Sequence, residues 1–147
     1  MSLSVWLQNG WLVSHTASRD EIRRLLELAD RDLKDSAVPG LSTDWQFSVA
    51  YNAALLCAAA ALAAAGFRAS REAHHFRVIQ SLALTVCWLE VRATELDRFR
   101  KKRNIADYER AGTVSDVEAQ RMLAIARDLR RSVEAWVRHK HPHLMRD

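Results

Sequence analysis

The stretch DWQFSVAYNAALLCAAAALAAAG, Asp44 to Gly66, limits what this chain can fold into more than any other. It follows Ser42-Thr43, with Asp44 completing a helix-capping set, and it ends on a glycine suited to the left-handed turn past a helix end. Between the two lies a helix from about Trp45 to Ala65 that is apolar on nearly every side. Such a helix has no polar face to give to water, so other elements must enclose it. Its most apolar run, Ala53 to Phe67, falls short of the ~18–20 residues that span a bilayer, so the enclosure expected is protein and no membrane is implied. The alanines from Ala58 to Ala65 let another backbone approach closely, either within the fold or across a dimer seam.

The rest of the chain supplies the enclosing helices. Only four glycines and two prolines punctuate 147 residues, which argues against a many-turned β fold. Ser18, with Glu21 three residues on, opens a helix whose Ile22, Leu25, Leu26, Ala29 and Leu33 form one apolar stripe, closed by Pro39-Gly40. Ser70 with Glu72 begins a third segment running through His74, His75, Phe76, Ile79, Leu82, Leu84 and Val86. A break is expected near Thr85 to Trp88, and helix resumes from Leu89 to Arg103. Ser115-Asp116-Val117-Glu118 is a capping box for a last helix with Met122, Ala126, Leu129, Val133 and Trp136 on one face, ended by Pro142. VWLQNGWLV, Val5 to Val13, reads as a hairpin or as a short helix stopped by Gly10; in a helical protein the second is preferred. The fold expected is all-α: one domain, a small antiparallel bundle of four to five helices with its core over about 18–138, a short N-terminal arm and a mobile C-terminal tail.

Hydrophobic content of 49% against 27% charged residues excludes a disordered chain. Cys57 and Cys87 lie in apolar sequence without metal-ligand spacing and read as buried thiols in a reducing compartment. No cationic start leads into an apolar stretch at the N-terminus, so no secretory signal is seen and the cytoplasm is expected. Charge is uneven: residues 1–97 carry 9 Lys and Arg against 11 Asp and Glu, and residues 98–147 carry 13 against 7. A basic final third suits an anionic partner, as it also suits a solvated helix face.

That charge peaks in RFRKKRNIADYERAG, Arg98 to Gly112, where five of the first six residues are cationic. On a helix they point all around the axis, leaving apolar surface only near Phe99. Unpaired buried charge is costly, so this turn must stand at the surface or at a site that supplies anions. Cations closing a helix, with Asn104 in the left-handed turn beyond, account for it as well as a phosphate site does.

RKKRNIADYE, preceded by DWQFSVAYNAALLCAAAALAAAGFRASREAHH and followed by SDVEAQRMLAIARDLRRSVEAWV, resembles bacterial HEPN-domain proteins in arrangement from about Ser18 to Trp136. The resemblance implies a small helical bundle that forms homodimers. Many members of that family are metal-independent endoribonucleases, including toxins paired with nucleotidyltransferase antitoxins. Their signature is an arginine, a polar residue after it and a histidine a few residues on. Arg103 matches the arginine and Asn104 the polar residue, but Tyr108 stands where the histidine is expected. In the implied reaction a ribose 2′-hydroxyl attacks the adjacent phosphate, with the arginine balancing charge and the histidine moving a proton. At pH 7 only about one tyrosine in 10³ is the phenolate a base requires. Arg103, Asn104 and Tyr108 are thus the implied catalytic set, with Arg100, Lys101, Lys102 and Arg110 gripping an RNA backbone. No cofactor or metal is implied. Tyr108 equally favours a non-catalytic module that binds nucleotide, RNA or a partner protein, and a structural helical dimer is the third expectation.

Other residues carry plainer readings. Arg68 with His74, and Arg138 with His143, repeat the letter pattern, which shows how unspecific it is. His74-His75 is an exposed first-turn pair, or a partner of Arg103 if the helices bring them together. Adjacent histidines diverge on a helix, so metal binding is not expected there, and HKHPH from His139 to His143 reads as tail. Asp44 is explained by capping, Asn52 needs a partner if buried, and Trp45, Trp88 and Trp136 read as core anchors.

Overall fold

A computed structural model describes residues 2–108 and 112–145, the side chains of 106–108 excepted. In chain order the elements are α1 (Leu3–Gln8), β1 (Leu12–Ser14), α2 (Arg19–Ser36), α3 (Thr43–Ala64), β2 (Phe67–Ala69), α4 (His74–Gln80), α5 (Glu90–Tyr108) and α6 (Asp116–Lys140). The all-α architecture holds, with one addition: β1 and β2 pair antiparallel, Leu12 opposite Ala69 and Ser14 opposite Phe67. Of the two readings of the N-terminal segment, the short helix holds and the local hairpin does not. A short helix does stop before Gly10, and the apolar residues beyond it pair with a strand some fifty residues downstream, beyond the reach of local pattern.

Three serines set the bundle. The hydroxyls of Ser18, Ser42 and Ser115 accept from the backbone N–H of Glu21, Trp45 and Glu118, and Glu118 returns a bond to Ser115 N–H, completing the capping box. The helices so opened, α2, α3 and α6, pack with α3 between the other two. Ala53, Ala54, Ala58, Ala60 and Ala61 of α3 are all fully buried, so its small side chains are used within the fold. This is where the apolar surface of α3 goes: the helix is long and apolar enough to cross a membrane, but most of it is buried inside the protein. Ile22, Leu26 and Ala29 from α2 and Met122, Ile125, Leu129 and Val133 from α6 close around it. Each such large side chain contributes roughly 1.5–3 kcal/mol on burial. Across the top of this layer Arg130 forks onto both oxygens of Asp30, at 2.8 and 3.0 Å, fixing α6 to α2.

Several expectations need correction. The third helix starts at His74, not Ser70, because the Ser70 hydroxyl donates to the Gly10 carbonyl at 2.6 Å and ties the strands to α1 instead. The break after it spans residues 84–89. Ser81 and Thr85 hydroxyls bond back to the Val78 and Ser81 carbonyls, Cys87 takes φ 56°, and the chain turns to bury Trp88. Cys87 is therefore exposed, and only Cys57 is a buried thiol. Trp45 is no core anchor; it is 61% exposed on the first turn of α3. The core also reaches past 18–138: Trp6, Leu12 and Leu144 are buried in it, the last from a 3₁₀ turn over Pro142–Leu144 that folds the tail back. Asn52 is exposed and donates to Asp32 of α2 at 2.6 Å.

Candidate functional site

The position of Arg103 follows from helical spacing. Among the described residues of α5 the buried ones are Ala93, Leu96 and Phe99, and Phe99 meets Phe47 of α3 edge to face, ring centroids 5.3 Å apart. Arg103 lies four residues beyond Phe99, on the same side, so its guanidinium is carried inward while Arg98 and Lys101 face solvent. There it meets Tyr51, with Cζ 5.4 Å from the ring centroid. Tyr51 stands one turn after Phe47 on α3 and is 1% exposed.

Tyr51 in turn meets α4. Its hydroxyl is 3.5 Å from Nδ1 of His75, at the outer limit of a hydrogen bond, and the two ring centroids are 6.3 Å apart. Burial pushes the Tyr51 phenol up to about 12 despite the opposing charges of Arg103 and Arg100, so it stays protonated at any physiological pH. His75 is half-buried, and its pKa is held below the ordinary imidazole value, first by burial and then by His74, Arg103 and Arg100. Its ring is therefore mostly neutral near pH 7.

In front of these residues lies an open groove of about 550 Å³ between α4 and α5, walled by His74, His75 and Phe76 on one side and Asp97, Arg100 and Lys101 on the other. Arg100 spans it, donating from Nε to Asp97 at 2.7 Å with Cζ 5.6 Å from the Phe76 ring. Lys101 Nζ is 3.9 Å from the same carboxylate. Lys102 turns the other way, 3.5 Å from Glu118 of the capping box. The cationic turn is thus partly neutralised from within: Asp97 serves two cations and Glu118 one. The groove itself is lined by two cations, Arg100 and Lys101, against the one carboxylate of Asp97.

The sequence-predicted residues separate accordingly. Arg100 and Lys101 line the groove, and Arg103 stands beside it against Tyr51. Lys102 is drawn to α6, and Asn104, expected in a left-handed turn past a helix ending at Arg103, is instead an exposed residue within α5, which runs on to Tyr108. Tyr108 ends α5, its side chain outside the described residues, and Arg110 lies outside them altogether. His74 is exposed, as expected of a first-turn residue, but His75 is not. Arg68 faces Glu21 at 3.7 Å and Arg138 faces Glu134 at 3.9 Å, so both spare Arg-His patterns put their arginine beside a carboxylate. Asp44 does more than sit in a first turn: it accepts from Gly112 N–H at 2.8 Å, fastening the end of the α5–α6 connection to α3. Tyr51 is the member that sequence reasoning missed. Its signal was a phenol inside an alanine helix, whose buried hydroxyl needs a partner from elsewhere.

Among the described residues no three His, Cys, Asp or Glu side chains are grouped to share a metal ion. Set against protein-family models, curated proteins and solved structures, the chain matches none. Chemically, the corner offers two guanidinium groups and an ammonium to an anion, a neutral imidazole able to accept a proton, and a phenol that cannot serve as a base.

Proposed function

We propose that the chain is a HEPN-type, RNA-directed protein of the cytoplasm, acting as a metal-independent endoribonuclease on RNA held at the α4–α5 groove. The observation that carries this reading is the gathering of Arg100, Arg103 and His75 near Tyr51, where three separate helices converge beside one cavity. Charge at the end of a helix needs no such convergence; a phosphate site does. The arginines favour the extra negative charge that develops on phosphorus as a ribose oxygen attacks. Two copies related by a two-fold axis would present the groove twice, and a nucleotidyltransferase antitoxin is the partner that the family resemblance suggests.

The test is cleavage of a structured RNA by purified protein in excess chelator. Cleavage is expected, with products ending in a 2′,3′-cyclic phosphate and a 5′-hydroxyl, and Arg103→Ala should slow it by about 10²–10³-fold. No cleavage, or equal cleavage by the variant, removes the proposal.

Tyr108 at the signature position supports a second reading, a non-catalytic module that binds nucleotide or RNA. In that case short RNAs bind saturably without being cut. Binding then weakens steeply with salt, and further on replacing Arg100 and Lys101.

A further inference from the structure

The ribonuclease reading leaves one role empty, because the residue at the histidine position is Tyr108. The chain has six histidines from which to fill it. His15 is held by Glu21, at 2.7 and 2.9 Å to its two oxygens. His141 and His143 stack in series behind Trp136 at the far end of α6, with His139 in its last turn. That end is roughly 35 Å along the helix axis from the capping box that Lys102 touches. His74 is exposed and makes ring contact only with its neighbour. His75 alone among them both lines the groove and meets Tyr51, the residue on which Arg103 packs.

We infer that His75 of α4 is the catalytic general base of this site, taking the proton of a ribose 2′-hydroxyl, with Tyr51 of α3 as the positioning residue that orients its ring. The inference rests on the ribonuclease reading and assigns within it a residue that the sequence signature does not contain. The base role uses the tautomer in which Nδ1–H donates to the Tyr51 oxygen and Nε2 keeps its lone pair, one of the two that the 3.5 Å contact allows. The Tyr51 phenol keeps its own proton throughout the working range, so the contact is one between two neutral groups.

The reaction then balances without any further reagent. The 2′-oxygen bonds to phosphorus as its proton passes to Nε2 of His75. The bond from phosphorus to the 5′-oxygen breaks, and that oxygen leaves with the electron pair and takes a proton from water. The imidazolium returns its proton to solvent. A 2′,3′-cyclic phosphate and a 5′-hydroxyl are the products. The groups that face His75 are Tyr51 from α3, Asp97, Arg100, Lys101 and Arg103 from α5, and His74 beside it on α4; burial, His74, Arg103 and Arg100 favour the neutral resting state this requires, and the Asp97 carboxylate opposes it. The cations among them disfavour a charged imidazole until a phosphate arrives to offset them.

The test is a pH–rate profile of the intact chain on RNA, with His75→Gln, His75→Ala, Tyr51→Phe and, as a control away from the groove, His139→Gln. His75→Gln should lose about 10²–10⁴-fold in cleavage while retaining the RNA, the usual worth of a positioned base. Added imidazole should restore part of the rate to His75→Ala and none to Arg103→Ala. The wild-type profile should rise with pH along a limb that titrates below an ordinary histidine. That limb should move in Tyr51→Phe and remain unchanged in His139→Gln. If the wild type cleaves and Arg103→Ala does not, yet His75→Gln cleaves at full rate, the assignment of His75 falls and the ribonuclease reading stands. A wild-type profile without an acid limb overturns the assignment with no variant needed. A wild type that binds RNA and never cuts it removes the assignment together with the reading it rests on.

Discussion

The α2–α3–α6 layer and the α4–α5 corner are built from the same chain by opposite means. In the layer each helix opens on a serine cap, its apolar face is continuous, and a half-buried cation such as Arg130 is answered by carboxylates both on its own helix, at Glu134, and on the facing one, at Asp30. At the corner α4 is only seven residues long and opens at Ala73, in the left-handed region at φ 53°, with no side-chain cap. A second left-handed residue, Cys87, lies in the break before α5. The layer is consistent at every level from propensity to packing, and the corner departs from local rules at several points within some thirty residues. Departures of that kind collect where a fold serves function instead of stability.

The largest effect expected from this contrast is on stability. Leu129 is fully buried at the centre of the layer, and Leu129→Ala should cost about 2–5 kcal/mol in urea unfolding. Leu84, in the break, is half-buried, and Leu84→Ala should cost less than about half as much because less transfer energy is lost. Equal losses would mean that the corner is packed as firmly as the layer, and the distinction between them would fail.

A smaller effect separates the two regions by pH. His75 has a folded pKa below its unfolded value, so between the two the unfolded chain binds more protons. Stability should fall as pH drops below about 6.5 and go on falling until the folded ring titrates. His141 shifts in the same direction, through burial, His143 and Lys140, so the loss should be shared between His75→Gln and His141→Gln. Glu95, Glu118 and Asp128 also have lowered values, set mainly by bonds from Arg121, the Ser115 backbone and Arg92. Their contribution is present above the ordinary carboxylate range and is lost only as pH falls through their own lower values. Unfolding followed from pH 7 to pH 3 should therefore show a histidine-dependent decline first, which His75→Gln reduces, and a carboxylate-dependent decline later, which it leaves alone.

The same contrast governs what was legible in the sequence. Ser18, Ser42, Ser115 and Glu118 announced the layer, because capping and 3.6-residue periodicity act over a few residues and can be read locally. The apolar girth of α3 gave its central place for the same reason. The β1–β2 ladder, the inward turn of Trp88 and the exposure of Trp45 depend on partners far away in sequence. At the corner, Arg103 was visible as a cation in a cationic run, but its side of the helix followed only from Phe99 packing on Phe47. His75 was visible as one of an adjacent pair. Which of the two faced inward was decided by Tyr51, from another helix, and no spacing within HHF contains that information.

The smallest effect is the sharpest test, because one substitution should change sign between the two regions. Ala60 is fully buried within α3, so Ala60→Gly should destabilise by at least about 1 kcal/mol through lost helix propensity, with the buried methyl adding to it. Ala73 holds a conformation that costs an L-residue roughly 1–2 kcal/mol and a glycine almost nothing. Ala73→Gly relieves that cost but gains freedom in the unfolded chain, worth about 0.4–1 kcal/mol in the other direction. The balance is a stabilisation of roughly 0.5 kcal/mol, seen as a small rise in the urea midpoint with an unchanged slope. A fall in the midpoint would show that the methyl group of Ala73 contributes more to the groove wall than its backbone costs. The start of α4 would then belong with the packed layer and not with the strained corner.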